Sequence, residues 1–174
     1  MVKRTAADKH FSNCIRERAN WTCEACGNHF PPGNTRGLDC SHLFTRARKS
    51  VRHHPLNAVA HCTSCHFRLG GNPVEFAEWR EKYLTKHYGP GVAEEMVQIA
   101  NRTRSMGKAK EKDISAYLRT ELKRMQELRK DGVTGRIEFG VPPHLEDVGE
   151  NNYAFRETLN AEDCPGNQEN EGER

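Results

Sequence analysis

Aromatic residues are scarce in this chain, at 7% of 174 residues, and hydrophobic residues reach only 35%. So thin an apolar supply limits the protein to a modest core. No apolar run approaches the ~20 residues that a membrane span requires. The opening stretch MVKRTAADKHF also lacks the apolar segment of an export signal, so the sequence predicts a soluble, cytoplasmic chain. No period of 20–50 residues repeats, which excludes solenoids and propellers.

Basic residues are nearly absent from one end. Residues 131–174 hold three basic and eleven acidic side chains, leaving residues 1–130 with 24 basic and 13 acidic. The net charge of +3 therefore conceals a body near +11 and a tail near −8. A basic body suits a polyanionic partner, most simply DNA, because neutralising phosphates releases condensed counterions.

Helical signals are plain in several places. Phe11, Cys14 and Ile15 share a helical face within residues 5–20. LDCSHLF after the turn at 31–37, and LNAVAHC at 56–62, read as short strands, and TSCHFRL as a short helix stopped by Gly70-Gly71. Asn72, Pro73 and Glu75 form a helix start, closed at Gly89-Pro90, with Phe76, Trp79, Tyr83 and Tyr88 near one face. Residues 91–101 extend this with Val92, Met96 and Ile99 inward. Between 113 and 130, Ile114, Leu118, Leu122, Met125 and Leu128 recur at heptad-like spacing, which suits packing on the body or a homodimer through residues 113–130.

Seven cysteines is an odd number, and four of them form two C-x-x-C pairs, Cys23/Cys26 and Cys62/Cys65, separated by 35 residues. In a chain without an export signal such pairs read as metal ligands, and two knuckles supply the four sulfurs of a closed tetrahedral Zn2+ site. A closed shell leaves no place for substrate, so this zinc is structural and any chemistry lies elsewhere. Cys14, Cys40 and Cys164 are left over as ordinary small apolar residues.

Inside the loop closed by the knuckles stand Asp39, His42 and Asn57, and His66 follows the last cysteine. The order C-x-x-C, His, Asn, C-x-x-C-H over residues 23–66 resembles the HNH, or ββα-metal, endonucleases in their four-cysteine form. The further features D-x-x-H at 39–42, L-N at 56–57, Gly71-Asn72 and the trailing helices resemble the NinG/Rap recombination nucleases of lambdoid phages, over roughly residues 20–130. The resemblance implies an α+β fold: a small ββα-metal, treble-clef-like core on the zinc site at 21–72. A helix at 1–20 precedes it, and a helical extension at 73–132 and an acidic, largely disordered tail at 133–174 follow.

It also implies roles. His42 becomes the general base, Asn57 the residue that fixes the loop carrying His42, and His66 the ligand of a catalytic Mg2+ or similar divalent ion. The common HNH pattern has a carboxylate directly before the first histidine. Here Ser41 holds that place, and Asp39 reaches the ion only if the strand bulges or ends by Cys40. The loop between His42 and Asn57 contains Arg46, Arg48, Lys49 and Arg52 but no carboxylate, and with Arg68 it is expected to clamp the phosphate backbone. His10, His29, His53, His54, His61, His87 and His144 default to surface or packing roles, with His54 and His61 closest in sequence to the site.

The leading expectation is thus a metal-dependent DNA endonuclease acting on branched recombination intermediates in a phage or prophage setting. An HNH nicking, restriction or homing-type enzyme on duplex DNA is the alternative within the class. A non-catalytic zinc-dependent DNA-binding recombination adaptor is the alternative outside it.

Overall fold

Thr5 starts the first helix, α1 (Ala6–Arg18), by a reciprocal cap: its N–H donates to Asp8 Oδ2 at 2.8 Å and its hydroxyl accepts from the Asp8 N–H. The computed structural model describes residues 3–145. Phe11, Cys14 and Ile15 are fully buried along α1, as their spacing predicts. After α1 the backbone takes left-handed φ at Asn20 and Trp21 and enters the first knuckle, which closes when the Gly27 N–H donates to Cys23 O at 2.8 Å. Gly27 sits at φ +77°, a conformation that side chains other than glycine adopt at a cost.

Two strands follow, β1 (Leu38–His42) and β2 (Ala58–Cys62), paired antiparallel in unbroken one-to-one register from Leu38↔Cys62 to His42↔Ala58. A single 3-10 turn at Pro55–Asn57 precedes β2. Four more helices complete the order: α2 (Thr63–Gly70), α3 (Pro73–Tyr88), α4 (Val92–Asn101) and α5 (Lys108–Lys130). The protein is therefore mixed α+β, mostly helical, with one two-stranded sheet. Among the described residues no helix is long and apolar enough to cross a membrane.

Strand alternation divides the interior into two cores. Leu38, Ala58 and Ala60 join Phe11, Ile15, Ile114, Leu118 and Met125 between the hairpin, α1 and α5. Val59 joins Leu43, Val51, Leu56 and the apolar faces of α3 and α4 on the other side. The α5 stripe that could have met a second copy is thus covered by α1 of the same chain.

Two boundaries differ from the sequence reading. Helix α5 begins five residues before Asp113, because Lys, Ala and Glu at 108–112 are good helix formers even though Gly107 supplies no side-chain cap. The acidic end is also not free from residue 133. Ile137 and Phe139 are buried against α1, and the Ile137 N–H donates to Arg18 O at 3.2 Å. The disorder expected from about 147 onward lies outside the described residues.

Candidate functional site

The two knuckles meet. The Sγ atoms of Cys23, Cys26, Cys62 and Cys65 all lie within 4.8 Å of one another, and Cys26 and Cys62 are 3.8 Å apart. Tetrahedral bonds of about 2.3 Å to one ion place sulfurs about 3.8 Å apart, so the cluster has the dimensions of a zinc site. Backbone amides already point at the sulfurs: Cys62 N–H donates to Cys23 Sγ at 3.1 Å, and Cys65 N–H to Cys62 Sγ at 3.5 Å. Burial and the neighbouring sulfurs push the Cys65 thiol up to about 12. Four thiolates this close need a cation between them, and a bound divalent ion would supply it. Among the described residues this is the one group of three or more His, Cys, Asp or Glu placed to hold a metal.

Between the first two cysteines stands Glu24, which the sequence reading passed over. Its N–H donates to Ala60 O at 2.8 Å and its Oε2 accepts from Ala60 N–H at 2.7 Å, so the knuckle covers the open edge of β2. Its carboxylate also takes Arg18, Arg136 and the Tyr83 hydroxyl. Burial alone would raise this carboxyl, but Arg18 and Arg136 hold it down to about 2. Nothing local in the sequence announces this network, since its members are brought together only by the fold.

The histidine loop is organised by Asn57, which is fully buried. Its Oδ1 accepts from Phe44 N–H at 2.7 Å, its backbone oxygen from Leu43 N–H at 2.8 Å, and its Nδ2 donates to Val51 O at 2.8 Å. One side chain thus ties both limbs of the loop together. His42 Nε2 lies 3.1 Å from Arg52 O. A carbonyl only accepts, so Nε2 carries the hydrogen and the neutral ring keeps its lone pair on Nδ1. Burial beside Phe11, at 5.8 Å between ring centres, lowers His42 to about 4, which keeps it neutral at pH 7.

Several of the loop cations also make bonds within the protein. Arg52 donates to Asp8 twice, at 2.9 and 2.5 Å, and to Lys3 O at 2.9 Å. His53 Nε2 donates to the same carboxylate at 3.1 Å. Burial would raise Asp8, but the hydrogen bonds from His53, Arg52 and Thr5 keep it well below the usual carboxylate range. Arg48 donates to Ala100 O at 3.0 Å and Asn101 Oδ1 at 2.8 Å, docking the loop on the end of α4. Arg68 pairs with Glu75 at the surface. Lys49 is exposed and Arg46 half-buried.

Asp39 does not share a face with His42. The ladder runs without a bulge through His42, so Asp39 and Ser41 project with their partners His61 and Val59, whereas Leu38, Cys40 and His42 project towards α1. The bulge on which a shared metal site with His42 depended is absent from β1. His66 lies in the first turns of α2 with its ring 6.3 Å from Phe67. Among the described residues, no hydrogen bond or ring contact joins His66 to His42.

Comparison of the chain with protein-family models, with curated proteins and with solved structures gives no match.

The buried histidines set a pH window. His42 is lowered by burial to about 4 and His54, fully enclosed and accepting from Leu56 N–H on Nδ1, to about 3. An unfolded chain protonates both near pH ~6.5. Between there and pH 4 the unfolded state binds protons that the folded state refuses, so stability falls as pH falls. Zinc-saturated protein unfolded in denaturant at pH 7 and at pH 5 is expected to lose on the order of a few kcal/mol at the lower pH. Equal midpoints and slopes at both pH values would contradict this.

Proposed function

We propose that this chain is a metal-dependent DNA endonuclease of the HNH type, with branched recombination intermediates as its favoured substrate. The observation that carries the reading is His42. It stands at the end of β1 with Nε2 committed to the Arg52 carbonyl, and its ring is neutral at physiological pH with the lone pair on Nδ1. That is the state a general base needs to take a proton from an attacking water. Supporting it is the order strand, loop, strand, helix over β1, β2 and α2, hung on a four-cysteine cluster, with His42 and His66 on the first strand and the helix.

Within this reading Asn57 fixes the loop and so the carbonyl that orients His42. Asp8 binds the side chains of Arg52 and His53 and so steadies the peptide between them, which carries that carbonyl. A divalent ion at His66 would supply charge neutralisation at the phosphoryl and leaving oxygens. The preference for branched DNA rests on the likeness to the NinG/Rap nucleases.

Supercoiled, linear and branched DNA incubated with zinc-loaded protein and Mg2+ or Mn2+ tests the proposal. Cleavage of branched DNA is expected to fall about 10²- to 10⁴-fold in His42→Ala while DNA binding persists. If the parent nicks none of the three substrates, the enzyme reading fails. Sequence-dependent cutting of plain duplex would favour a nicking or restriction-type activity.

A second reading, a non-catalytic zinc-dependent DNA-binding protein, is favoured by one observation: Asp39 and His42 lie on opposite faces of β1. Under that reading His42→Ala and the parent behave alike on DNA in every assay.

A further inference from the structure

Helices α1 and α5 pack tightly through Phe11, Cys14, Ile114 and Leu118, but small residues separate them nearer their N-terminal ends. Ala6 and Ala7 of α1 and Ser115 and Ala116 of α5 line a cavity of about 430 Å³ that none of them is long enough to fill. Lys108, Lys112 and Arg119 stand on its α5 wall. A second cavity of about 250 Å³ shares Thr5 and Glu111 with the first and is lined further by Lys3, Lys49, Arg52 and His53. With walls in common, the two form one trench, which runs from Arg119 to the histidine loop.

Arg52 and His53 are neutralised by Asp8, but the other cations of the trench are not. Lys3, Lys49, Lys108, Lys112 and Arg119 are exposed, and among the described residues none of them forms an ion pair. Cations farther along α5 do: Arg124 pairs with Glu121 and Lys130 with Glu127. Glu111 is the one carboxylate on either wall. Five cations around a concave surface with one carboxylate concentrate positive potential there, so the trench suits an anion.

The spacing of the cations selects which anion. Lys108, Lys112 and Arg119 follow one line along α5, roughly 17 Å long at 1.5 Å per residue. A small anion requires donors that converge on a point, whereas a line of this length matches about five successive phosphates of one strand of duplex DNA. No Phe, Tyr or Trp lines either cavity, so unpaired bases find nothing to stack on, and the contact is with the backbone.

We propose that this trench binds the phosphate backbone of a duplex DNA arm leading away from His42. Arg52 connects the two places: its side chain lines the trench, and its carbonyl is the partner of His42 Nε2. The proposal rests on the nuclease reading for the identity of its partner. It extends the DNA contact to Lys3, Lys108, Lys112 and Arg119, which lie outside the clamp expected between His42 and Asn57.

The test measures binding of zinc-loaded full-length protein to fluorescent duplex and branched DNA by anisotropy, without Mg2+, over a range of salt concentrations. The triple variant Lys108→Gln/Lys112→Gln/Arg119→Gln is expected to raise Kd about tenfold or more and to flatten the slope of log affinity against log salt by about 2–3. Lys82→Gln/Lys86→Gln/Lys130→Gln makes the same change in net charge at exposed lysines elsewhere and is expected to shift Kd by less than about threefold. Circular dichroism shows that each variant is folded. In the parent, bound DNA is expected to protect Lys108 and Lys112 from acylation. Equal losses in the two triple variants, an unchanged salt slope in the first, or full acylation of Lys108 and Lys112 under bound DNA overturns the proposal. A loss seen with poly-glutamate and not with DNA would assign the trench to an acidic peptide and also overturn it. Trench-dependent binding by a parent that cuts no DNA would leave the trench standing and remove the nuclease reading. Cleavage by the parent with Kd and slope unmoved in the first triple variant would do the reverse.

Discussion

Replacing Cys65 by serine, or stripping the protein with a strong chelator, is expected to abolish the folded state of the hairpin and its knuckles. The four sulfurs lie within 4.8 Å of one another, and three of their four residues are buried. Without an ion, this crowding leaves either thiols pressed on one another or thiolates that repel. Structural zinc contributes an apparent 10–16 kcal/mol in small metal sites, comparable with or larger than the 5–15 kcal/mol total stability of an ordinary domain. Residues 21–30 form no helix or named strand and are otherwise held by Trp21 in the core, the Thr22–His29 bridge and the bonds of Glu24. Amide hydrogen exchange reads the outcome, with protection in β1, β2 and α2 expected to vanish on chelation and return with Zn2+. Unchanged protection in the metal-free protein would show that the cysteines are not a folding ligand set.

That expectation was legible in the sequence because each knuckle is local: two residues separate the two cysteines of a pair, and spacing alone brings their sulfurs together. Helix starts were legible for the same reason. Asn72, Pro73 and Glu75 build their cap within four residues, and the Glu75 N–H indeed donates to Asn72 Oδ1 at 3.2 Å. The stripes of α4 and α5 bury Met96, Ile99, Leu118 and Met125 as their periods require.

What sequence could not supply is the use of charge across distance. Arg52 reads as a loop cation next to a candidate active site, yet its partner is Asp8, 44 residues away. Arg18 reads as one more basic residue at a helix end, yet it is wholly buried. The face of Asp39 likewise depended on whether β1 runs on regularly through His42. Only the register decides that, and it places Asp39 opposite His61.

The buried network around Arg18 and Glu24 carries the second large prediction. Arg18 donates to Pro55 O at 2.7 Å, Ala58 O at 2.5 Å and the Tyr83 hydroxyl at 3.3 Å, and pairs with Glu24 at 3.4 Å. It therefore joins the end of α1 to the start of β2, the first cysteine knuckle and α3 in one side chain. Burial would lower its pKa, but the surroundings, among them the Glu24 carboxylate it pairs with, raise it and keep the guanidinium charged. Glu24 in turn is the anion shared by Arg18 and Arg136. Removing it takes the only carboxylate from the buried Arg18 and a bond from the Ala60 amide, while half-buried Arg136 keeps Glu138, so Glu24→Ala is expected to cost about 3–5 kcal/mol in denaturant unfolding with zinc saturating. Adding Arg136→Met to Glu24→Ala should cost less than the sum of the two single losses, because the two sites share a contact that either substitution removes. Strict additivity of the two substitutions, or a loss below about 1 kcal/mol for Glu24→Ala, would mean that water reaches the network and screens it as it does a surface pair.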